Sequence, residues 1–199
     1  VSSPLLRLAS ASPRRRELLA SIGFDVAHDI EVVPVDIDET PLENEPPEAY
    51  VLRLARAKAA AGSQGTQLPT LGSDTAVVVD SRILGKPAGR EHAREMLTLL
   101  SGRSHEVMTA VAIQGPQGML ATCVTTRVFM RSIDEQEMAA YWASGEPADK
   151  AGGYAIQGRA AIFIERVEGS HSSVVGLPLF ETAELLVRQG VPLWRQGAS

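Results

Sequence analysis

Near the start of the chain, Ser10-Ala11-Ser12-Pro13-Arg14-Arg15-Arg16 sets a run of guanidinium groups directly after two hydroxyls and a proline. Ser12 is a good helix N-cap and Pro13 a good first helical residue. The first turn of a helix carries the positive end of the macrodipole and unpaired N–H groups, so acidic residues belong there and an arginine triplet is locally unfavourable. Backbone donors, the hydroxyls of Ser10 and Ser12 and the guanidinium forks together make a phosphate receptor. The bland alternative is a solvated basic turn.

Other charges stand where periodicity does not want them. In the helix predicted over 47–61, Lys58 lies seven residues after Val51 and four after Leu54, on the apolar stripe, where a charge is unfavourable unless paired. In an average helix the lysine stem packs and its ammonium reaches water. Asp74 sits inside the apolar run Leu71-Gly72-Ser73-Asp74-Thr75-Ala76-Val77-Val78-Val79. A carboxylate buried there needs a cation, a metal or a proton, and each describes a site more often than a core. Lys86 projects from a tight turn between Gly85 and Pro87, and Glu39 belongs to an acidic cluster with Asp36, Asp38 and Glu43. Taken singly, such residues are usually solvated. Taken together, Arg14, Arg15, Lys58 and Lys86 form a cationic set facing Glu39 and Asp74, and phosphate ester chemistry with a hard divalent metal uses both sets.

Several other chemistries are excluded. Gly152-Gly153-Tyr154-Ala155-Ile156-Gln157-Gly158 is rich in glycine but lacks the G-K-[ST] ending of a P-loop, and its glycines also suit a sharp turn. No G-x-S-x-G nucleophile elbow occurs, and His28, His92, His105 and His171 have no zinc-like spacing with Cys123. At 199 residues and 44% hydrophobic content the chain can bury one sizeable core or two small lobes. A net charge of -5 argues against non-specific nucleic-acid binding. The single cysteine, Cys123, reads as a small packed hydrophobe in a reducing cytoplasm. Neither a signal-peptide core nor an apolar run long enough to span a bilayer is expected, and Val1 to Ser3 read as a processed end.

The elements that must position these residues alternate between strand and helix periods, the pattern of an α/β protein. The expected order is a strand over 5–10, a helix over 13–22, an irregular acidic stretch, a helix over 47–61, a buried strand over 70–79 and a short return at 83–84. A helix over 90–100 stops at Ser101-Gly102, and strands over 105–114 and 120–131 flank a turn at Gly115-Pro116-Gln117-Gly118. Ser132 and Glu135 make a capping-box signature for a helix ending near Ser144-Gly145. A strand over 161–168 and a helix over 178–189, closed by Gly190, complete the chain.

At this resolution the sequence resembles the Maf family of nucleoside triphosphate pyrophosphatases. The likeness runs through Ser10-Ala11-Ser12-Pro13-Arg14-Arg15, Val35-Asp36-Ile37-Asp38-Glu39, Arg53-Leu54-Ala55-Arg56-Ala57-Lys58-Ala59, Gly72-Ser73-Asp74-Thr75, Gly85-Lys86-Pro87, Ser101-Gly102-Arg103-Ser104-His105, the stretch from Asp149 to Gly158, and Val175-Gly176-Leu177-Pro178. The resemblance implies a mixed α/β fold over 1–199 as one Maf-like domain, with a twisted central sheet, flanking helices and two lobes around a cleft, similar to the inosine triphosphate pyrophosphatases. It further implies a cytoplasmic enzyme that uses a divalent metal (Mg, Mn or Co) and often forms a homodimer, with a nucleoside triphosphate as its partner and neither nucleic acid nor membrane. Asp74 matches the family's proton acceptor, and its chemistry equally suits a metal ligand beside Glu39. Ser10, Ser12, Arg15, Lys58 and Lys86 then form the phosphate cradle.

Three positions separate the family's branches. Members acting on N7-methylated guanine nucleotides resemble one another in carrying Trp, Gln and Glu where this chain has Arg14, Thr75 and Gln157. A cationic base favours a tryptophan face and a carboxylate and is repelled by an arginine. Arg14 and Gln157 instead offer hydrogen bonds to a neutral base, the arginine to a keto oxygen such as O4 of thymine or uracil. The likeness is therefore to the dTTP/UTP branch. Two alternatives stand beside it: a 7-methyl-GTP pyrophosphatase, and a nucleotide-gated binding module acting on septum formation.

Overall fold

The structure, a computed structural model, describes residues 3–194; the expected processed end therefore lies outside the described residues at Val1 and Ser2. Leu6 and Leu8 are fully buried in the short strand β1 (Leu6–Leu8), which pairs in parallel with β2 (Ile30–Val32) in the register Leu6↔Ile30 and Leu8↔Val32. Parallel neighbours require a crossover, supplied by α1 (Pro13–Ser21). On its other side β1 pairs in parallel with β3 (Thr70–Val79), which α2 (Pro47–Gly62) precedes.

β3 turns back into β4 (Arg82–Leu84) with Val79 opposite Arg82, so the loop has only two residues, Asp80 and Ser81. Both have positive φ, 49° and 62°, the conformation that a two-residue hairpin of right-handed twist requires. Arg103 holds the Asp80 carboxylate through two hydrogen bonds. Then follow α3 (Arg90–Leu100), β5 (Ser104–Gly115), β6 (Gly118–Met130), α4 (Glu135–Ala143), β7 (Ile164–Glu168), α5 (His171–Val175) and α6 (Leu179–Arg188). The seven strands form one mixed sheet in the order β2-β1-β3-β5-β6-β7, with β4 on β3.

By packing, the chain divides into two compact units. One comprises the stretch up to Asp74, Thr109–Cys123 and the stretch from Gly176; the other comprises Thr75–Met108 and Val124–Val175. Each has its own apolar core. The first is built on Leu6, Leu8, Leu19, Leu71, Ile113, Leu177 and Leu186, the second on Val77, Leu97, Leu100, Val107, Val128, Tyr141 and Phe163. Burial of such side chains is the main stabilising term in each. No helix among the described residues is long and apolar enough to cross a membrane.

Four expectations are corrected. The helix after β6 is capped by Asp134 with Glu137, not by Ser132 with Glu135. The Ile133 amide donates to Ser101 Oγ at 2.8 Å, which keeps the chain out of the helix until Asp134. The strand expected over 161–168 begins only at Ile164, because Arg159–Phe163 is a 3-10 turn. Its burial repeats every three residues, with Ala160 and Phe163 inside and Ala161 and Ile162 outside, which is the 3-10 period rather than the strand period. The stretch at 30–32, expected to be irregular, forms β2, and 171–175, for which no element was expected, forms α5. The strand expected over 5–10 is shortened to Leu6–Leu8.

Candidate functional site

Ser12 caps α1 as its sequence suggests, its Oγ accepting from the Arg15 amide at 3.4 Å. Ser10, buried at the end of the loop from β1, accepts from the Ser12 amide and from Arg15 Nη1, each at 3.2 Å. The Arg15 guanidinium also donates through Nε to the Gly176 carbonyl at 2.9 Å. One buried hydroxyl and a distant carbonyl thus fix the Arg15 guanidinium at the positive end of a helix. Burial lowers the Arg15 pKa, Asp74 and Glu39 counter that by their charge, and Arg14 adds to it. No acidic residue occupies the first turn of α1 to cancel this field.

The second half of the site is set by a close approach of helix and strand. A side chain at Gly72 would bring its Cβ within 2.4 Å of the Ala55 carbonyl and 2.5 Å of the Ala59 amide, so only glycine lets β3 lie against the backbone of α2. Asp74 is two residues on, on the same face of the strand. Lys58, on the facing turn of α2, reaches Asp74 Oδ1 at 2.8 Å and Glu39 Oε1 at 2.8 Å. The lysine and Asp74 side chains are 12% and 13% exposed, whereas Glu39 is 56% exposed, so one ion pair is sheltered and the other opens to solvent. The Lys58 ammonium does not snorkel; it is paired twice. Glu39 is steadied from behind by Tyr50, whose hydroxyl donates to the Glu39 carbonyl at 2.9 Å. Burial raises the Asp74 pKa, with Lys58 and Arg15 pulling it back and Glu39 adding to the rise. A carboxylate made more basic than usual while held beside cations is what a proton acceptor needs.

These contacts lie within the first unit, which brings together Ser10, Ser12, Arg15, Glu39, Lys58 and Asp74. Arg14 is half-buried in the same first turn of α1. Among the described residues no group of three or more His, Cys, Asp or Glu could hold a metal. A hard divalent ion of the Mg type does not need one, since it takes one or two carboxylates and completes its shell with water and phosphate oxygens. Glu39 and Asp74, sharing a single lysine, are a donor pair of that kind.

The remaining predicted residues belong to the second unit. Thr75 is half-buried on β3, on the face opposite Asp74. Lys86 is exposed in the turn after β4. That turn is tied to the glycine-rich loop by the Gly152 amide, which donates to the Gly85 carbonyl at 3.0 Å. Gly152, at φ 70°, lies so close to Val77 that a Cβ would meet its side chain at 2.9 Å. The loop therefore packs on β3, and Gln157 is exposed upon it. Sequence reasoning gave no role to Gly72, Ser73, Tyr50 or Gly176. Only Gly72 carried a signal, as a glycine inside a strand. Ser73 Oγ, fully buried, donates to the Ala110 carbonyl at 2.8 Å and to the same Gly176 carbonyl that Arg15 uses, at 3.3 Å.

Comparison with known proteins adds a family-level match. A model of the family described as Maf-like protein matches residues 5–189. The chain is 50% identical over 190 residues to the dTTP/UTP pyrophosphatase of Alkalilimnicola ehrlichii, covering 92% of each chain. It is 50% identical over 195 residues to that of Saccharophagus degradans, covering 96% of this chain and 91% of the relative. For that of Hahella chejuensis the identity is 49% over 193 residues, covering 95% and 94%. Among solved structures, the nucleoside-triphosphatase, or dITP/XTP pyrophosphatase, of Mycobacterium abscessus aligns with 63% of this chain and 72% of its own at a TM-score of 0.40 and 18% identity.

Proposed function

We propose, from the premise that this chain belongs to the Maf-like protein family, that it is a nucleoside triphosphate pyrophosphatase that hydrolyses dTTP and UTP to the monophosphate and pyrophosphate. The observation that carries this reading is the sheltered pair of Lys58 and Asp74, formed where β3 and α2 approach at Gly72. The names of its relatives supply the substrates.

In this reading a water attacks the α-phosphorus, the bond to the bridging oxygen breaks and pyrophosphate leaves. Asp74 takes the proton of that water, its carboxylate made more basic by burial. Lys58 lends Asp74 one of three ammonium donors and Glu39 another, which leaves one for a phosphate oxygen. Arg15 engages Gly176 and Ser10 through Nε and Nη1, so Nη2 is the nitrogen it turns to phosphate. The N-terminus of α1 adds its dipole, and Lys86 adds a further cation to the cradle. Glu39 and Asp74 would hold a divalent metal, which would supply neutralisation of phosphate charge and polarisation of the phosphoryl group. Arg14, Thr75 and Gln157 read the base, with Arg14 donating to the O4 keto oxygen. The reading includes a cytoplasmic setting, supported by the unpaired Cys123, whose half-buried thiol is pushed up to about 11 and is therefore inert at neutral pH. It also includes a single Maf-like domain acting as a homodimer, which sedimentation of the purified chain tests.

The deciding experiment incubates the purified protein with a panel of nucleoside triphosphates and Mg, Mn or Co, then identifies products. Monophosphate and pyrophosphate in equal amounts from dTTP and UTP are expected. Stepwise release of orthophosphate would overturn the reaction, and turnover confined to 7-methyl-GTP would overturn the substrate.

A further inference from the structure

Gln157 is exposed on a stretch of backbone whose neighbours Tyr154, Ala155, Ile156 and Ala160 are all buried. What holds that stretch is a relay through two side chains of the preceding segment. The Ala155 amide donates to the phenol oxygen of Tyr141 at 3.1 Å. The Tyr141 hydroxyl donates to Glu146 Oε2 at 2.5 Å. Glu146 Oε1 accepts from the Arg159 amide at 2.9 Å. Two residues before Gln157 and two residues after it, the backbone is therefore tied to one carboxylate, directly on one side and through a phenol on the other. The Gly158 amide closes the turn onto the Ala155 carbonyl at 3.0 Å.

A Cβ at Gly158 would fall 2.0 Å from Glu146 Oε1, so glycine is what lets the carboxylate lie beneath the loop. The Tyr141 ring, 4% exposed, is fixed edge-on against Phe163 with centroids 5.5 Å apart. Burial works against the charge on Glu146, yet the hydrogen bonds from Tyr141 and from the amides of Arg159 and Ala160 outweigh it and keep the carboxyl below its ordinary pKa. The carboxylate is thus ionised, with both oxygens engaged. A two-point anchorage removes the backbone freedom that an exposed loop would otherwise keep.

We propose that Tyr141 and Glu146 are positioning residues for Gln157, holding the loop from which its amide reads the pyrimidine edge; this rests on the dTTP and UTP reading above. Neither residue touches substrate. Their part is to limit where the Gln157 amide can point, and a discriminating hydrogen bond depends on that direction.

The test uses Tyr141→Phe, which keeps the ring and its packing on Phe163 and deletes only the hydroxyl. Hydrogen exchange over 153–160 and kcat/KM for UTP and CTP are measured in wild type, Tyr141→Phe, Glu146→Gln and Gln157→Ala. In Tyr141→Phe, exchange at Ala155 and Arg159 should quicken by about tenfold, and the preference for UTP over CTP should fall by roughly three- to tenfold, mainly through KM. Glu146→Gln, which keeps an acceptor for Arg159, should fall between. A merely structural role would lower Tm without moving the UTP to CTP ratio. Unchanged exchange overturns the anchorage, and faster exchange with an unchanged ratio overturns the positioning role. Gln157→Ala separates the two levels. A ratio altered there but not in Tyr141→Phe removes only this proposal, whereas a ratio unchanged in both removes the base reading with it.

Discussion

Replacing Gly72 by alanine should disable the site without touching any of its charged groups. The added Cβ would stand 2.4 Å from the Ala55 carbonyl oxygen and 2.5 Å from the Ala59 amide nitrogen, both backbone atoms of α2 that cannot rotate away. Ordinary contact requires about 3.4 Å, so strand and helix must part by about 1 Å. Lys58 lies on that turn of α2 and its bond to Asp74 is 2.8 Å long. Lengthened by about 1 Å, it leaves the hydrogen-bonding range altogether. Loss of a charge-assisted hydrogen bond is worth about 1.5 to 3 kcal/mol, and a 1 Å misplacement about a hundredfold in rate, so kcat/KM for dTTP should fall by roughly tenfold to a hundredfold. Overpacking should cost about 1 to 3 kcal/mol of stability, offset by up to about 1 kcal/mol from the stiffer unfolded chain. For a chain of this length that lowers Tm by at most about 12 °C, so activity at 25 °C is read on folded protein. The assay is pyrophosphate release in a cycle with Lys58→Ala. If Gly72→Ala acts through Lys58, its effect in the Lys58→Ala background should shrink to within about twofold. Full additivity of the two losses, or a folded Gly72→Ala protein with wild-type kcat/KM, would refute the reasoning.

The other predictions concern the base, the nucleobase, pH and the metal. Asp74→Asn, which keeps the shape and removes the proton acceptor, should lower turnover by about 100-fold or more; near-normal turnover in the folded variant would move the role to Glu39. The triple change Arg14→Trp, Thr75→Gln and Gln157→Glu should shift preference from dTTP towards 7-methyl-GTP by roughly tenfold to a hundredfold, since each charge term is worth about 1 to 3 kcal/mol; an unchanged kcat/KM ratio would show that these positions do not read the base. Glu45 is held at about 2, against an ordinary 4.5, chiefly by its hydrogen bonds to Arg53. Its contribution to stability is complete above the ordinary glutamate range and is lost as pH falls towards 2; the Tm difference between wild type and Glu45→Gln should therefore narrow on acidification, and a constant difference would contradict this. Chelation with EDTA should stop dTTP hydrolysis, and added Mg or Mn should restore it; undiminished turnover in EDTA would remove the metal from the mechanism.

Much of the first unit's site was legible because charges interrupt apolar patterns. Lys58 and Asp74 each break a periodicity, one of helix and one of strand, and in the structure they relieve each other at 2.8 Å. The fold's long elements were legible for the same reason: the boundaries 70–79 and 90–100 agree with β3 and α3. Failures fell on short or locally degenerate segments. Two Ser/Asp-to-Glu pairs three residues apart overlap before α4, and a contact from Ser101, remote in sequence, decides between them. A four-residue apolar run at 160–163 looks like a strand until burial with a period of three identifies it as 3-10.

The holding of Arg15 shows why the remainder was hidden. Its Nε donates to the carbonyl of Gly176, which also receives the hydroxyl of Ser73, so one peptide oxygen joins the helix of the arginine run to β3, one residue before Asp74. Every residue carries a carbonyl, so no residue type marks this acceptor, and the partners lie 161 and 103 positions away along the chain. Gly176 has φ 139°, a conformation that favours glycine, but a glycine tells only that the backbone turns there, not what its oxygen receives. The arginine run thus reads in the sequence as a candidate anion site. The orientation of the Arg15 guanidinium comes from tertiary contacts between chain segments that no local pattern encodes.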